Sequence, residues 1–280
     1  MRARNDGNFI TPSSVIALFN ESSTITNKYT MVSVFSYADS SDVAAAVARH
    51  VVKIQNEVLK TADFFHIAVS GGSMGKVLRS GLIDNEEAHS QIKWDQWKVY
   101  FSDERIVPLD HPDSNYGALN EFVLKPLAEK GVRGPTVYTI NESLVHETDT
   151  KTDSQIAEEY ASFIPKQFDL ILLGCGPDGH TCSLFPGHPL LKEETLNVAA
   201  IADSPKPPPR RITLTFPVLK AAREIAFIAE GAGKAAIFKE IFGAEKTGLP
   251  CELVNGLGVP VSWFTNDAAL EGVPVTASKY

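Results

Sequence analysis

Cysteine is scarce: Cys175, Cys182 and Cys251 are the only three in 280 residues. They are too few and too scattered for a disulfide framework, and no C-x-x-C or Cys/His cluster has the spacing of a zinc site. A reducing, cytoplasmic compartment fits, and no metal is expected. No apolar run approaches the roughly 18 to 20 residues that span a bilayer, so a membrane-integral protein is not expected. Basic charge is in deficit, with 26 Lys and Arg against 34 Asp and Glu and a formal net charge of −8. Such a chain offers no overall field for nucleic acid or an anionic membrane, and any phosphate must be held by a local site.

What is present suffices for one domain. With 44% apolar residues the chain can bury a full core. Residues 1–30 stand apart: Arg2 and Arg4 and many Ser, Thr and Asn residues surround a brief apolar patch at 15–19, while Asp6 and Glu21 argue against a transit peptide. We expect a disordered extension over 1–30 and a single domain over 31–280, opening with the strand-like Val32-Ser33-Val34-Phe35.

Apolar periodicity then alternates between helix and strand. Behind an N-cap-like Ser41, Val43, Val47, Val51, Ile54 and Val58 predict a helix over 42–61. Strands are predicted at 65–69, 97–101, 168–173, 211–216, 225–229 and 261–265, and helices at 74–82, 114–129, 153–163 and 233–242. Residues 205–209 are proline-rich and read as a connector. The alternation predicts an α/β fold, a mostly parallel sheet flanked by helices on both faces, with binding residues at the carboxyl ends of strands.

Polar motifs sit at such ends. Ser70-Gly71-Gly72-Ser73 has the composition of an anion cradle ahead of a helix, and equally that of an ordinary glycine-rich turn. Asp103-Glu104-Arg105 closes the next strand as either a surface ion-pair cluster or an acid/base group beside a phosphate clamp; spacing does not choose. Gly174-Cys175-Gly176-Pro177-Asp178-Gly179 fits G-x-G-x-x-G. A dinucleotide reading is opposed by its mid-chain position, by Pro177 and by the lack of a strand ending in an acid about twenty residues on. His180 follows at the rim of the strand, placed for proton transfer, with a helix cap as its bland alternative. Arg211 opens a strand and Lys234 lies just inside a helix, each placed to reach an anion if its strand end faces the pocket and each equally readable as a solvated charge, which is the preferred reading for Arg210.

Taken together, these motifs resemble the 6-phosphogluconolactonase family: Ser70-Gly71-Gly72-Ser73, then Ser102-Asp103-Glu104-Arg105 with Asp113-Ser114-Asn115-Tyr116, then Gly174 to Gly187 with Asp178-Gly179-His180-Thr181-Cys182-Ser183-Leu184-Phe185, then Arg211-Ile212-Thr213-Leu214-Thr215. The resemblance runs from about residue 32 to 264 and implies a modified Rossmann-like sandwich. It implies hydrolysis of 6-phospho-D-glucono-1,5-lactone without a redox cofactor or an obligatory metal. On this resemblance His180, Asp103 and Arg105 are catalytic, with Asp103 holding water or the imidazole. Ser70, Gly71, Gly72, Ser73, Asp178, Gly179, Arg211 and Lys234 bind substrate and its phosphate. The expected setting is a cytoplasmic monomer with no nucleic-acid or membrane partner, functionally coupled to a glucose-6-phosphate dehydrogenase. Two rivals stand beside it. A glucosamine-6-phosphate deaminase would carry a glutamate five residues after the histidine, where this chain has Phe185. A non-catalytic sugar-phosphate sensor would show a damaged catalytic turn.

Overall fold

The structure, a computed structural model, describes residues 31–280. The extension expected over 1–30 lies outside the described residues. Ten strands follow in chain order: β1 Val32–Tyr37, β2 Phe65–Val69, β3 Trp97–Phe101, β4 Asp103–Arg105, β5 Thr136–Val137, β6 Leu170–Leu173, β7 Val198–Ile201, β8 Arg211–Leu214, β9 Ile225–Ile228 and β10 Val261–Asn266. Seven form one sheet in the order β1-β10-β9-β6-β2-β3-β5, every neighbouring pair parallel. The parallel α/β architecture is thus as the sequence predicts.

Strands of this sheet are apolar on both faces because both are covered. In β6, Leu170 and Leu172 join the core under the helix Ser40–Val58, whereas Ile171 and Leu173 join the core under the helices Thr150–Ala161 and Ala235–Ile241. The five residues that predict the first helix, Val43 to Val58, are all buried; each such side chain contributes about 1.5–3 kcal/mol. Its limits differ from 42–61. The N-cap is Asp39 in extended backbone, not Ser41, and the helix ends at Val58, because Ser40 and Ser41 accept helical geometry once the downstream face is docked.

A second sheet was not expected. β4, β8 and β7 pair antiparallel in that spatial order, so Arg211 to Leu214 belongs to a small layer of its own. A single residue, Ser102, separates β3 from β4. The chain therefore steps from the large sheet onto the small one at the carboxyl end of β3. At the same level the large sheet has its topological switch point: β2 is followed by β3 on one side, and β6 lies on its other side. The crevice between the ends of β2 and β6 is where such sheets bind ligands.

Candidate active site

The turn after β2 is built on one close approach and one positive φ. A Cβ on Gly71 would lie 1.8 Å from Asn115 Oδ1, so only glycine lets the turn pack there. Gly72 has φ +68, which glycine adopts without strain. Ser70 Oγ lies 2.6 Å from Ser102 Oγ and donates to Leu172 O at 3.1 Å, tying the ends of β2, β3 and β6 together. Ser73 and Lys76 are exposed at the start of the following helix.

Asp103 and Glu104 point to opposite sides of β4. Asp103 is buried and accepts from Ser183 Oγ at 2.7 Å and Asn115 Nδ2 at 3.2 Å. Two guanidiniums flank it, Arg105 Nε at 3.9 Å and Arg211 Nη1 at 3.8 Å. Arg105 donates from Nη1 to Asp113 O at 2.8 Å, while its Nε is buried without a hydrogen-bond partner among the described residues. Glu104 caps the helix that begins at Asn115, accepting from the amides of Asn115 and Tyr116 at 2.8 Å each. Burial pushes its carboxyl up to about 7, against the amide donors of Asn115, Tyr116 and Arg105.

The loop after β6 wraps around an imidazole. Gly176 N donates to His180 O at 2.9 Å and Gly179 N to Gly176 O at 3.0 Å, closing a tight turn in which Gly179 has φ +76. A Cβ on Gly176 would lie 2.0 Å from His180 Nδ1 and Cε1. The middle glycine of the G-x-G-x-x-G match, Gly176, therefore makes room for a histidine.

His180 Nδ1 lies 2.5 Å from Asp178 Oδ1. A carboxylate at that distance requires a proton on Nδ1, which leaves the Nε2 lone pair as the basic one. Lys206 Nζ donates to the same Asp178 oxygen at 3.0 Å and stands 3.0 Å from Nδ1. Burial lowers the pKa of His180 against the pull of Asp178, and Lys206 lowers it further. Burial acts to raise Asp178, but the bonds from His180 and Lys206 hold it at about 2. The Phe185 ring backs the imidazole, 4.9 Å between centroids. The position where a deaminase would carry its glutamate is thus an apolar support.

A cavity of about 630 Å³ opens here. The structure brings the whole turn 70–73, Asp103, Arg105, His180, Arg211 and Lys234 onto its wall. Asp178 and Gly179 stand behind: Asp178 holds the imidazole, and Gly179 packs against Leu249. The imidazole support expected of Asp103 is therefore supplied by Asp178, two residues from the histidine. Lys234 donates to Cys175 O at 2.5 Å. Arg211, almost wholly buried, donates to the carbonyls of Lys206 at 2.9 Å, Pro207 at 3.2 Å and Pro208 at 2.9 Å. Arg210 is not a solvated charge: its Nε donates to the buried Asp153 at 3.0 Å and its Nη1 to Val145 O at 3.2 Å, because neighbouring extended residues face opposite ways and Asp153 waits on that side.

Sequence reasoning missed Asn115, Ser183, Lys76 and Lys206. Asn115 and Ser183 stand within recognised motifs, but nothing local says that they meet Asp103. All three cysteines are buried and free. Among the described residues no helix is long and apolar enough to cross a membrane.

The model of the family described as "Glucosamine-6-phosphate isomerases/6-phosphogluconolactonase" matches residues 38–263. "6-phosphogluconolactonase 3" of Saccharomyces cerevisiae (strain ATCC 204508 / S288c) is 46% identical over 243 residues, covering 85% of this chain and 96% of the relative. The 6-phosphogluconolactonase of Homo sapiens is 40% identical over 260 residues, covering 89% and 96%. Among solved structures, the 6-phosphogluconolactonase of Trypanosoma brucei superposes with a TM-score of 0.72 at 26% identity, covering 86% of this chain and 98% of that one. A monomeric glucosamine-6-phosphate deaminase, at 16% identity and a TM-score of 0.66, shares the fold.

Proposed function

This chain belongs to the glucosamine-6-phosphate isomerase/6-phosphogluconolactonase family, and from that premise we propose how it hydrolyses 6-phospho-D-glucono-1,5-lactone to 6-phosphogluconate in the pentose phosphate pathway. The observation that carries the proposal is the imidazole of His180, which lines the cavity and is held through Nδ1 on Asp178, leaving Nε2 as the basic nitrogen. Its lowered pKa keeps it neutral near pH 7, the state a general base requires.

Nε2 takes a proton from water as the water oxygen bonds to the lactone carbonyl carbon. Charge develops on the carbonyl oxygen, where the Arg105 guanidinium on the cavity wall supplies positive charge. The carbon–ring-oxygen bond then breaks, and the proton held on Nε2 passes to the ring oxygen, leaving a carboxylic acid that ionises. Asp103 sets the two guanidiniums beside it. No covalent nucleophile is needed, since the hydroxyl of Ser183 is committed to Asp103.

The substrate phosphate rests on the turn 70–73, with Lys234, which keeps two donors beyond its bond to Cys175 O. Binding energy from this remote group orients the carbonyl. Arg211 has three carbonyls and Asp103 to serve, so it supports the wall rather than gripping the phosphate. Buried free cysteines suit the reducing cytoplasm. There we place the protein as a monomer supplied with lactone by a glucose-6-phosphate dehydrogenase.

The test generates lactone with glucose-6-phosphate dehydrogenase and follows 6-phosphogluconate through a coupled dehydrogenase, above the spontaneous rate. His180→Ala should lose about 10²- to 10⁴-fold in kcat, the usual worth of a general acid/base. Undiminished turnover in that variant would remove His180 from the chemistry.

A further inference from the structure

The segment 204–209 reads Ser-Pro-Lys-Pro-Pro-Pro. Four of its six residues lack an amide proton, so its carbonyls need donors from elsewhere. Arg211 provides them, bonding the carbonyls of Lys206, Pro207 and Pro208. Ser204 closes the other side: its Oγ donates to Lys206 O at 2.9 Å and accepts from Lys206 N at 3.2 Å. The one flexible side chain in a stiff loop is thereby launched from a fixed backbone. Its ammonium ends 3.0 Å from Asp178 Oδ1 and 3.0 Å from His180 Nδ1. Lys206 is not part of the cavity wall.

We infer that Lys206 is a positioning residue of the lactonase site: it pins Asp178 against His180 and so fixes which imidazole nitrogen faces the cavity. The inference rests on the role proposed for His180. The charged groups around that imidazole are Asp178, Lys206 and, from β4, Asp103, with Arg211 beyond the Phe185 ring. Lys206 is the cation that donates to Asp178 and stands beside the imidazole. Removing it takes one anchor from Asp178, which keeps its bond to Nδ1, and deprives the imidazole of a neighbouring positive charge, so the imidazole protonates at higher pH and the base is lost sooner on acidification.

The experiment compares wild type, Lys206→Met, Lys206→Arg and His180→Ala across pH 5–8, residual lactone being read as its hydroxamate. For Lys206→Met, kcat should fall while KM stays near its wild-type value. The acid limb of kcat/KM should move up by about one pH unit, roughly a tenfold loss at pH values below the limb. Lys206→Arg should return the limb toward its original position, and Lys206→Met combined with His180→Ala should be no slower than His180→Ala alone. A raised KM with an unmoved limb would make the lysine a substrate contact, and an unchanged kcat and limb would make it a loop tether; either overturns the inference while leaving His180 in place. Full activity in His180→Ala overturns the reading beneath it instead.

Discussion

Replacing Gly176 with alanine tests the catalytic turn with a single methyl group. The new Cβ would stand 2.0 Å from His180 Nδ1 and Cε1 and 2.8 Å from Asp178 Oδ1, where ordinary contact begins at 3.4 Å. The imidazole must retreat by more than about 1 Å, a displacement that costs on the order of 10²-fold when it misplaces a reacting group. Stability should change far less. Gly176 is not among the glycines with positive φ, so alanine fits its backbone and gains about 0.4–1 kcal/mol through the unfolded chain, set against about 1–3 kcal/mol of local overpacking. The expected variant is folded at 25 °C with kcat reduced about a hundredfold. Coupled formation of 6-phosphogluconate gives kcat, and a thermal melt gives stability. Gly134→Ala, away from the cavity, is the matched control, since its methyl meets no atom within 4 Å, and its kcat should stay near the wild-type value. A folded Gly176→Ala enzyme with wild-type kcat would refute the reasoning, because either the imidazole is not held against Gly176 or it is not the proton-transfer group.

Two further substitutions probe the support of the site. Glu104 has its pKa raised by burial from 4.5 to about 7, so between those values the folded protein holds a proton that the unfolded chain has released. Stability from this group is complete below about 4.5 and declines as pH rises through about 7; Glu104→Gln should flatten that slope, read as Tm against pH, and a slope unchanged in the variant would assign it to other groups. Arg211→Ala takes a donor from three loop carbonyls and one flanking guanidinium from the buried Asp103. A loss of about 3–5 kcal/mol in urea unfolding is expected, together with a fall in kcat; a rise in KM alone at unchanged stability would instead make Arg211 a phosphate clamp.

Six of the seven strands of the large sheet were legible because they are apolar runs with few polar interruptions; β5, only two residues long, was not. The residues ending β2, β3 and β6 were legible because serine, glycine and charged residues follow those runs abruptly. β4 was not, since Asp103-Glu104-Arg105 has no apolar alternation and is a strand only through its register with β8, Asp103 opposite Thr213 and Arg105 opposite Arg211. The proline-rich segment reads correctly as a connector, yet what its lysine reaches is a tertiary fact 28 residues away in sequence. The adjacent arginines 210 and 211 look alike in sequence and part company in space, one toward Asp153 and the other toward Asp103. Chemistry-bearing residue types are visible locally; their partners are set by topology.

The strand order also governs when this protein becomes whole. β1, the first strand of the large sheet to leave the ribosome, has one neighbour in that sheet, β10, which is the last strand made. Their register, Val32 opposite Val261 through Tyr37 opposite Asn266, joins residues more than two hundred apart. Until residues 261–266 have been made, β1 carries unpaired backbone groups and an apolar face without its sheet, the kind of exposed strand that aggregates. A nascent chain halted before residue 261 would still contain every proposed catalytic group and would lack the strand that seats its own beginning. Chaperone demand during translation should therefore fall late and abruptly, as β10 slides between β1 and β9.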